Sequence, residues 1–375
     1  MVFDEEGAFD LNPDEVIKDR THEGLLYRRK VPVAVLGATG NVGQRLISLL
    51  HNHPWFDVKH VCASERTQGS RFGDVVEWRQ SKPLPKTIAD LLVEAPEPNI
   101  AARVIFSALD SSVAGDIEEA FAKKGYVVIS NARNHRMDPF VPLIVPEVNP
   151  DHLALIKKQP YPQGGCIVTN PNCVVIGLTT ALRPLQLEFG IENLHVVSMQ
   201  SISGAGFNGL PSLSILDNVI PFIEGEEEKL CLEPKKILGT TTDTGIKYLD
   251  FPISATCTRV PVTEGHLVAV SVKLKKKATI EEVRRAFEEF TPPIDELRLP
   301  SSPKKAIYFF EEKGSPQPKL HKDIDNGMAV CVGSLRPCPT SDYKFIVLSH
   351  NLVRGAAGGT ILIGELMLAQ GLIHW

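Results

Sequence analysis

VPVAVLGATGNVGQRLISLL, residues 31–50, sets a short β-rich apolar run directly before a glycine turn and a helix-like run. Strand, glycine turn and helix in that order are the context a dinucleotide-binding loop needs. Gly37 permits the tight turn, Gly40 lets the backbone approach a pyrophosphate, and Gly43 allows the helix to pack closely, with the helix N-terminus facing the phosphates. The spacing is G-x-x-G-x-x-G, a variant of the commoner G-x-G-x-x-G, and a simple turn is the competing reading of the motif taken alone.

The next apolar run, Phe56 to Ala63, ends in SERTQGS. An acid at the end of this strand would hold the ribose 2′-hydroxyl of NAD. Here the strand end offers Ser64, Arg66 and Thr67, a hydroxyl-rich and cationic set that suits a 2′-phosphate and favours NADP, with Glu65 expected to point away. Val104 to Leu109 reads as a further buried strand, DSSVAGDIEEAFAKKG as a helix with an Asp/Ser start, and YVVIS, 126–130, as another strand. This alternation is the signature of a doubly wound α/β unit. Ligands bind at the C-terminal ends of such strands, which makes Asn131 and Arg136, in NARNHRMD, candidates for holding an anion; plain surface solvation is the alternative.

The chain of 375 residues is long enough for two cores, and its 43% apolar and 23% charged content is ordinary for a globular protein. A formal net charge of −5 gives no broad attraction for nucleic acid or an anionic membrane, so neither is an expected partner. Seven cysteines, widely spaced and without C-x-x-C pairs, indicate a reduced, cytoplasmic protein with no structural metal. No run approaches the roughly 20 apolar residues of a membrane-spanning helix. Residues 1–30 are rich in acids and read as a polar extension rather than a targeting signal.

TNPNCVVIGLTTAL, residues 169–182, places Cys173 at the start of a predicted helix. Unpaired N–H groups and the positive end of the backbone dipole there favour thiolate over thiol. Asn170 and Asn172 are capping-type residues, and Pro171 blocks a helix from entering upstream. A small buried apolar residue is the other reading of a lone cysteine. Beyond it, Leu194 to Ser201 is strand-like and leads through Gln200 into the flexible loop SGAGFNGLPS. In NVIPFIEGEEEKL, Glu226 and Lys229 stand at i, i+3 and share a helix face. His266 opens a strand on the face that carries Val268, Val270, Val272 and Leu274, either as a core histidine or as a proton carrier, with Arg259 available as a carboxylate fork. Ser301 to Asp325 reads as a surface excursion. The tail, FIVLSHNL followed by a small-residue helix, is expected to pack back on the first unit, its small side chains admitting a cofactor ring.

Taken together, GATGNVG, SER-T, FSALDSSVAG, SNARNHRMD with VPLIVPEVN, TNPNCVVIGL, QSISGAG, NVIPFIEGEEEK, R-V-P-V-T-E-G-H and HNLVRGAAG resemble the aspartate-β-semialdehyde dehydrogenase family, closest to its fungal and archaeal branch. The resemblance runs from about residue 31 to the C-terminus. It implies an α/β fold with a Rossmann-type dinucleotide-binding domain (31–170 and 346–375) and an α+β catalytic and dimerisation domain (171–345). It implies Cys173 as nucleophile, Gln200 as its orienting partner and His266 as general acid/base. Arg136 and Lys229, with Asn172, would hold phosphate; Glu226 would meet the substrate ammonium and Arg259 its carboxylate. Gly37, Thr39, Gly40, Asn41, Val42, Gly43, Ser64, Arg66, Thr67, Ser107, Ser203, Gly204 and Asn351 would contact NADP.

The implied chemistry is thiolate attack on an aldehyde, hydride transfer to NADP and release of the thioester by phosphate, run by the cell from aspartyl phosphate toward the semialdehyde in threonine, methionine and isoleucine biosynthesis. Homodimers or homotetramers are implied as well. The alternatives are an acyl-CoA reductase of the malonyl-CoA reductase kind, against which Glu226 argues because malonyl has no ammonium, and a non-catalytic NADP-binding sensor.

Overall fold

The computed structural model describes residues 19–21, 24–26 and 29–375. Most of the polar extension therefore lies outside the described residues; its described part is a short antiparallel pairing of Asp19–Thr21 with Gly24–Leu26. Two six-stranded sheets organise the rest. The first runs in the order Val93–Glu94, Phe56–Cys62, Val31–Leu36, Val104–Ser107, Val127–Ser130, Cys166–Thr169, with every pairing parallel. Its central strands Val31–Leu36, Val104–Ser107 and Val127–Ser130 are buried almost throughout, as a sheet covered by helices on either side requires, whereas Phe56–Cys62, nearer the edge, carries Asp57, Lys59 and His60. Strand order reverses at Val31–Leu36, so the turn after that strand opens into the crevice where a doubly wound sheet binds its ligand.

That turn has the expected construction. Gly37 has φ +72°, and a Cβ on it would stand 2.5 Å from the Ala108 carbonyl oxygen. A Cβ on Gly43 would stand 2.2 Å from the Gly37 carbonyl oxygen, so the helix Asn41–Leu50 can cross the loop this closely only without a side chain there. Ser111–Lys123 follows the next strand and is capped by Asp110, whose side chain accepts from the Ser112 amide.

The second sheet is mixed, in the order Ile253–Arg259, Ile191–Gln200, His266–Leu274, Tyr343–Ser349, Val330–Pro337, Ile307–Phe310. Helix Cys173–Glu188 packs on one face, sharing a core with Val268, Val270, Val272, Phe345 and Val347. His266–Leu274 alternates buried and half-buried throughout, as its sequence pattern predicts. The half-buried side chains of the opposite face, Val197, Met199, Leu267 and Ala269 among them, belong to none of the apolar clusters of the described residues.

The tail returns to the first sheet as expected: Ile361, Leu362, Ile363, Leu366 and Met367 of helix Gly358–Ala369 share one core with Val33, Val35 and Phe106. The reading of 301–325 as a surface excursion is incomplete. Ile307–Phe310 is the edge strand of the second sheet, parallel to Val330–Pro337, and Ser301 is held by Glu365 of the last helix through its amide (3.0 Å) and its hydroxyl (2.5 Å). Among the described residues no helix is long and apolar enough to cross a membrane.

Candidate active site

Three neighbouring strands of the second sheet deliver functional groups to one end. Arg259 is paired in register with Gln200 on a parallel strand, and Leu267 with Met199 on the antiparallel strand beside it, which puts His266 next to Gln200. All three side chains face the helix-covered side and are buried. The helix that covers them begins at Cys173, so its N-terminus arrives at the same end. Asn172 is its cap: Oδ1 accepts from the Val174 amide at 3.0 Å. Asn170 turns elsewhere, its amide donating to Asn131 Oδ1 at 3.1 Å.

Cys173 Sγ lies 3.2 Å from His266 Nε2. The other ring nitrogen has two partners, both from Ser201: the backbone amide donates to Nδ1 at 3.0 Å, and the hydroxyl lies 3.1 Å away. The amide can only donate, so it favours a bare Nδ1 with the neutral ring's proton on Nε2; a ring protonated at Nδ1 gives up that bond and has the hydroxyl oxygen as its acceptor. Burial, reinforced by Arg259, pushes the imidazole down to about 3 and keeps it neutral, although Glu226 acts the other way.

The expected resting thiolate is not what this environment favours. Burial and then Glu226 push the Cys173 thiol up to about 12, outweighing Arg136, Arg259 and Lys229. The desolvation of sulfur exceeds the help of the helix terminus, and the resting pair is thiol and neutral imidazole. Between about pH 7 and about pH 10, alkylation of Cys173 by iodoacetamide is therefore expected to accelerate about tenfold per pH unit without levelling off. A plateau reached below about pH 8 would show a resting thiolate instead.

Glu226 is the hub of the polar network. Lys229 Nζ donates to Oε1 at 2.7 Å, Asn172 Nδ2 to both oxygens at 3.1 and 3.0 Å, and Gln200 Nε2 to Oε2 at 3.1 Å. Burial works to raise this carboxyl, but the charge of Lys229 and the hydrogen bonds from Lys229, Asn172 and Gln200 together hold it below the usual range. Gln200 is thus brought to the site, yet its amide is bonded to Glu226 and Ser198 rather than to the sulfur. Arg259 donates to the Ser201 carbonyl at 2.8 Å, and a Cβ on Gly204 would meet its guanidinium at 2.7 Å, so the loop after Gln200 lies directly against this arginine. Arg136 is buried rather than solvated, bonded to Glu233 and to the Asn131 carbonyl.

Sequence reading missed three contributors. Ser201 and Glu233 are polar residues whose partners are far away in the chain. Gly355 is the third: a Cβ on it would stand 2.8 Å from Cys173 Cβ and 3.0 Å from Cys173 Cα. The small residues of the tail therefore admit the nucleophile's own helix turn. Gly355→Ala is expected to displace Cys173, to destabilise the fold by about 1–3 kcal/mol, and to lower turnover by more than the stability loss accounts for, as thermal melts and steady-state rates on the same preparation will show.

A cleft of about 410 Å³ opens beside this site between the glycine turn and the second sheet, lined by Asn41 and Arg45 on one side and Ser203, Thr263, Glu264 and Leu352 on the other. Arg45 and Glu264 pair across it at 2.9 Å, and the Arg79 guanidinium lies 4.0 Å from the centroid of the Phe207 ring. Asn351 donates to Ser203 Oγ at 2.9 Å and accepts from the Gly265 amide at 2.9 Å, which fixes two of the expected cofactor contacts against one another. Ser64, Glu65 and Arg66 are exposed at the end of their strand, with Thr67 half-buried beside them. Ser107 differs from expectation: its hydroxyl donates inward to the buried Glu118 at 2.6 Å. The crowded glycine backbone, facing a cleft with cations at its rim, fits a dinucleotide.

The chain matches the family Semialdehyde dehydrogenase, NAD binding domain, over residues 32–156, and Semialdehyde dehydrogenase, dimerisation domain, over residues 182–354. Aspartate-semialdehyde dehydrogenase of Archaeoglobus fulgidus is 47% identical over 344 residues, covering 91% of this chain and 99% of that protein. The enzyme of the same name from Schizosaccharomyces pombe is 44% identical over 352 residues, covering 91% and 99%. Among solved structures, aspartate semialdehyde dehydrogenase with NADP from Candida albicans superimposes with a TM-score of 0.85 at 38% identity, covering 92% of this chain and 100% of that one. Aspartate semialdehyde dehydrogenase II of Vibrio cholerae, complexed with ASA, gives a TM-score of 0.72 at 26% identity over 91% and 98% of the two chains.

Proposed function

The chain belongs to the aspartate-semialdehyde dehydrogenase family, and from that premise we propose that it interconverts L-4-aspartyl phosphate and L-aspartate 4-semialdehyde with NADP, through a thioester on Cys173. The observation that carries the reading is the Cys173–His266 contact of 3.2 Å at a helix N-terminus where Arg136, Arg259 and Lys229 converge. In the oxidative direction Cys173 adds to the aldehyde carbon. Its proton and the proton of the new hydroxyl pass through His266 Nε2, with the Ser201 amide holding a bare Nδ1 and the Ser201 hydroxyl oxygen accepting from it while the ring is charged. NADP, held by Gly37, Thr39, Gly40, Asn41, Val42, Gly43, Ser203, Gly204 and Asn351 and at its 2′-phosphate by Ser64, Arg66 and Thr67, supplies the hydride acceptor when bound. Ser107 is not among these groups, since its hydroxyl is committed to Glu118 and its carbonyl to Asn131.

Arg136 and Lys229, with Asn172, hold phosphate, whose oxygen attacks the thioester carbonyl; the C–S bond breaks and the sulfur is released for reprotonation. Arg259 receives the substrate carboxylate and Glu226 its ammonium. Gln200 orients the thiol's surroundings through Glu226. The division of the chain at 31–170 with 346–375 and at 171–345 is part of this reading, supported by the two sheets and by the return of the last helix to the first core. Association of subunits is supported by the match to a dimerisation domain, and the half-buried face bearing Val197, Met199, Leu267 and Ala269, which joins no apolar cluster of the described residues, is the surface we assign to it, in a homodimer or homotetramer. A cytoplasmic location fits the unpaired cysteines.

The test is the absorbance of NADPH formed from L-aspartate semialdehyde and NADP, with and without inorganic phosphate and with CoA in its place. Sustained reduction that requires phosphate is expected. Reduction sustained by CoA alone would assign an acyl-CoA reductase instead.

A further inference from the structure

Helix Glu226–Ile237 carries more than the two residues that enter the site. Glu226 and Lys229 meet around Asn172, and one and two turns on, the same face bears Glu233 and Lys236, both buried. The two oxygens of Glu233 are divided between two elements. Oε1 accepts from Arg136 Nη1 at 2.9 Å, and Oε2 accepts from the backbone amide of Asn172 at 2.7 Å, one residue before the nucleophile. Lys236 Nζ donates to the carbonyls of Arg136, Asp138 and Val141 at 2.6, 2.8 and 2.9 Å and so pins the loop that presents Arg136. Arg136 Nε is buried with no hydrogen-bond partner among the described residues, so one N–H of the guanidinium is left unspent.

We propose that Glu233 is a positioning residue that fixes the anion-binding guanidinium of Arg136 to the N-terminus of the Cys173 helix, so that phosphate is held at a set distance from the sulfur. This rests on the reading of Arg136 and Cys173 given above. A carboxylate suits the task because it offers two acceptor oxygens, and both of its partners, the Arg136 guanidinium and the Asn172 amide, are donors. Glutamine would present a donor to one of them. Aspartate keeps the charge but cannot span both contacts from the same backbone position. Glu233 also offsets the Arg136 charge, and that effect has the opposite sign: if charge alone mattered, its removal would tighten phosphate binding.

Glu233→Gln and Glu233→Asp are each compared with the unmodified chain by thermal melting, by the phosphate dependence of NADP reduction, and by the inorganic phosphate needed to halve the rate of iodoacetamide alkylation at Cys173. Both folded variants are expected to raise the KM for phosphate and the half-protecting concentration by tenfold or more, with the KM for NADP changed less than twofold. A phosphate requirement that falls or is unchanged in either folded variant overturns the proposal, and so does a uniform loss of rate at unchanged phosphate KM. If the unmodified chain is protected by phosphate but does not turn over the aldehyde, the functional reading fails, and the protection comparison still decides the role of Glu233. Absence of phosphate protection in the unmodified chain overturns the proposal for Glu233, while the functional reading is decided by turnover.

Discussion

Cys173→Ala is expected to lower phosphate-dependent NADP reduction by at least ~10⁴-fold while the fold and NADP affinity persist. The loss is large because no other group can form the covalent adduct from which a hydride is given up: the neighbouring hydroxyls of Ser201 and Ser203 are committed to His266 and Asn351. The fold persists because alanine is the best helix former and Cys173 sits at the first turn, where only a small side chain is removed. Its side-chain hydrogen bond among the described residues is with His266, which keeps its Ser201 partners. Turnover retained within tenfold would mean that the sulfur is not the nucleophile. The measurement is steady-state NADPH formation beside a titration of NADP binding.

His266→Ala is expected to cost about 10²–10⁴-fold in kcat, with a smaller effect on iodoacetamide alkylation of Cys173 in the absence of substrate. The two readouts separate because the alkylating agent needs only a deprotonated sulfur, which hydroxide supplies at high pH, whereas each catalytic cycle needs a proton moved at a carbonyl oxygen. The free imidazole is neutral down to about pH 3, so the rate is not expected to fall on the acid side near the ordinary histidine pKa. The sign follows from the environment: burial and Arg259 both disfavour imidazolium, which confines the charged ring to the moment of transfer. A variant with equal losses in alkylation and kcat would place His266 in the structure of the pocket rather than in proton transfer.

These groups were not equally legible in the chain. The first sheet was written locally: a six-residue apolar run, glycines at i, i+3 and i+6, and a helix within one 20-residue stretch, so periodicity and turn chemistry sufficed. Glu226 and Lys229 were legible because an i, i+3 pair is settled by the helix that contains it, and they do pair. Glu233 stands on the same face, but its meaning depends on Arg136, 97 positions earlier, and no local rule couples the two. The edge strand Ile307–Phe310 was hidden by the Pro- and Lys-rich segments around it; an edge strand is short and polar-flanked, and its pairing is decided by tertiary packing. The charge state of Cys173 was misjudged for a related reason. A helix terminus is visible in a sequence, whereas the desolvation produced by three strands and Gly355 closing on the sulfur is not. The roles of the remaining positions were assigned through resemblance, and packing turns the Ser107 hydroxyl toward Glu118 and the Gln200 amide toward Glu226 and Ser198.

The most direct test of the account is a rapid mix of the protein with L-aspartate semialdehyde and NADP in the absence of phosphate, followed by mass spectrometry of the peptide that contains Cys173. One equivalent of NADPH per site, formed in a burst that then stalls until phosphate is added, together with an aspartyl adduct on Cys173, is the predicted result. No burst, or an adduct on any other residue, would contradict the thioester route.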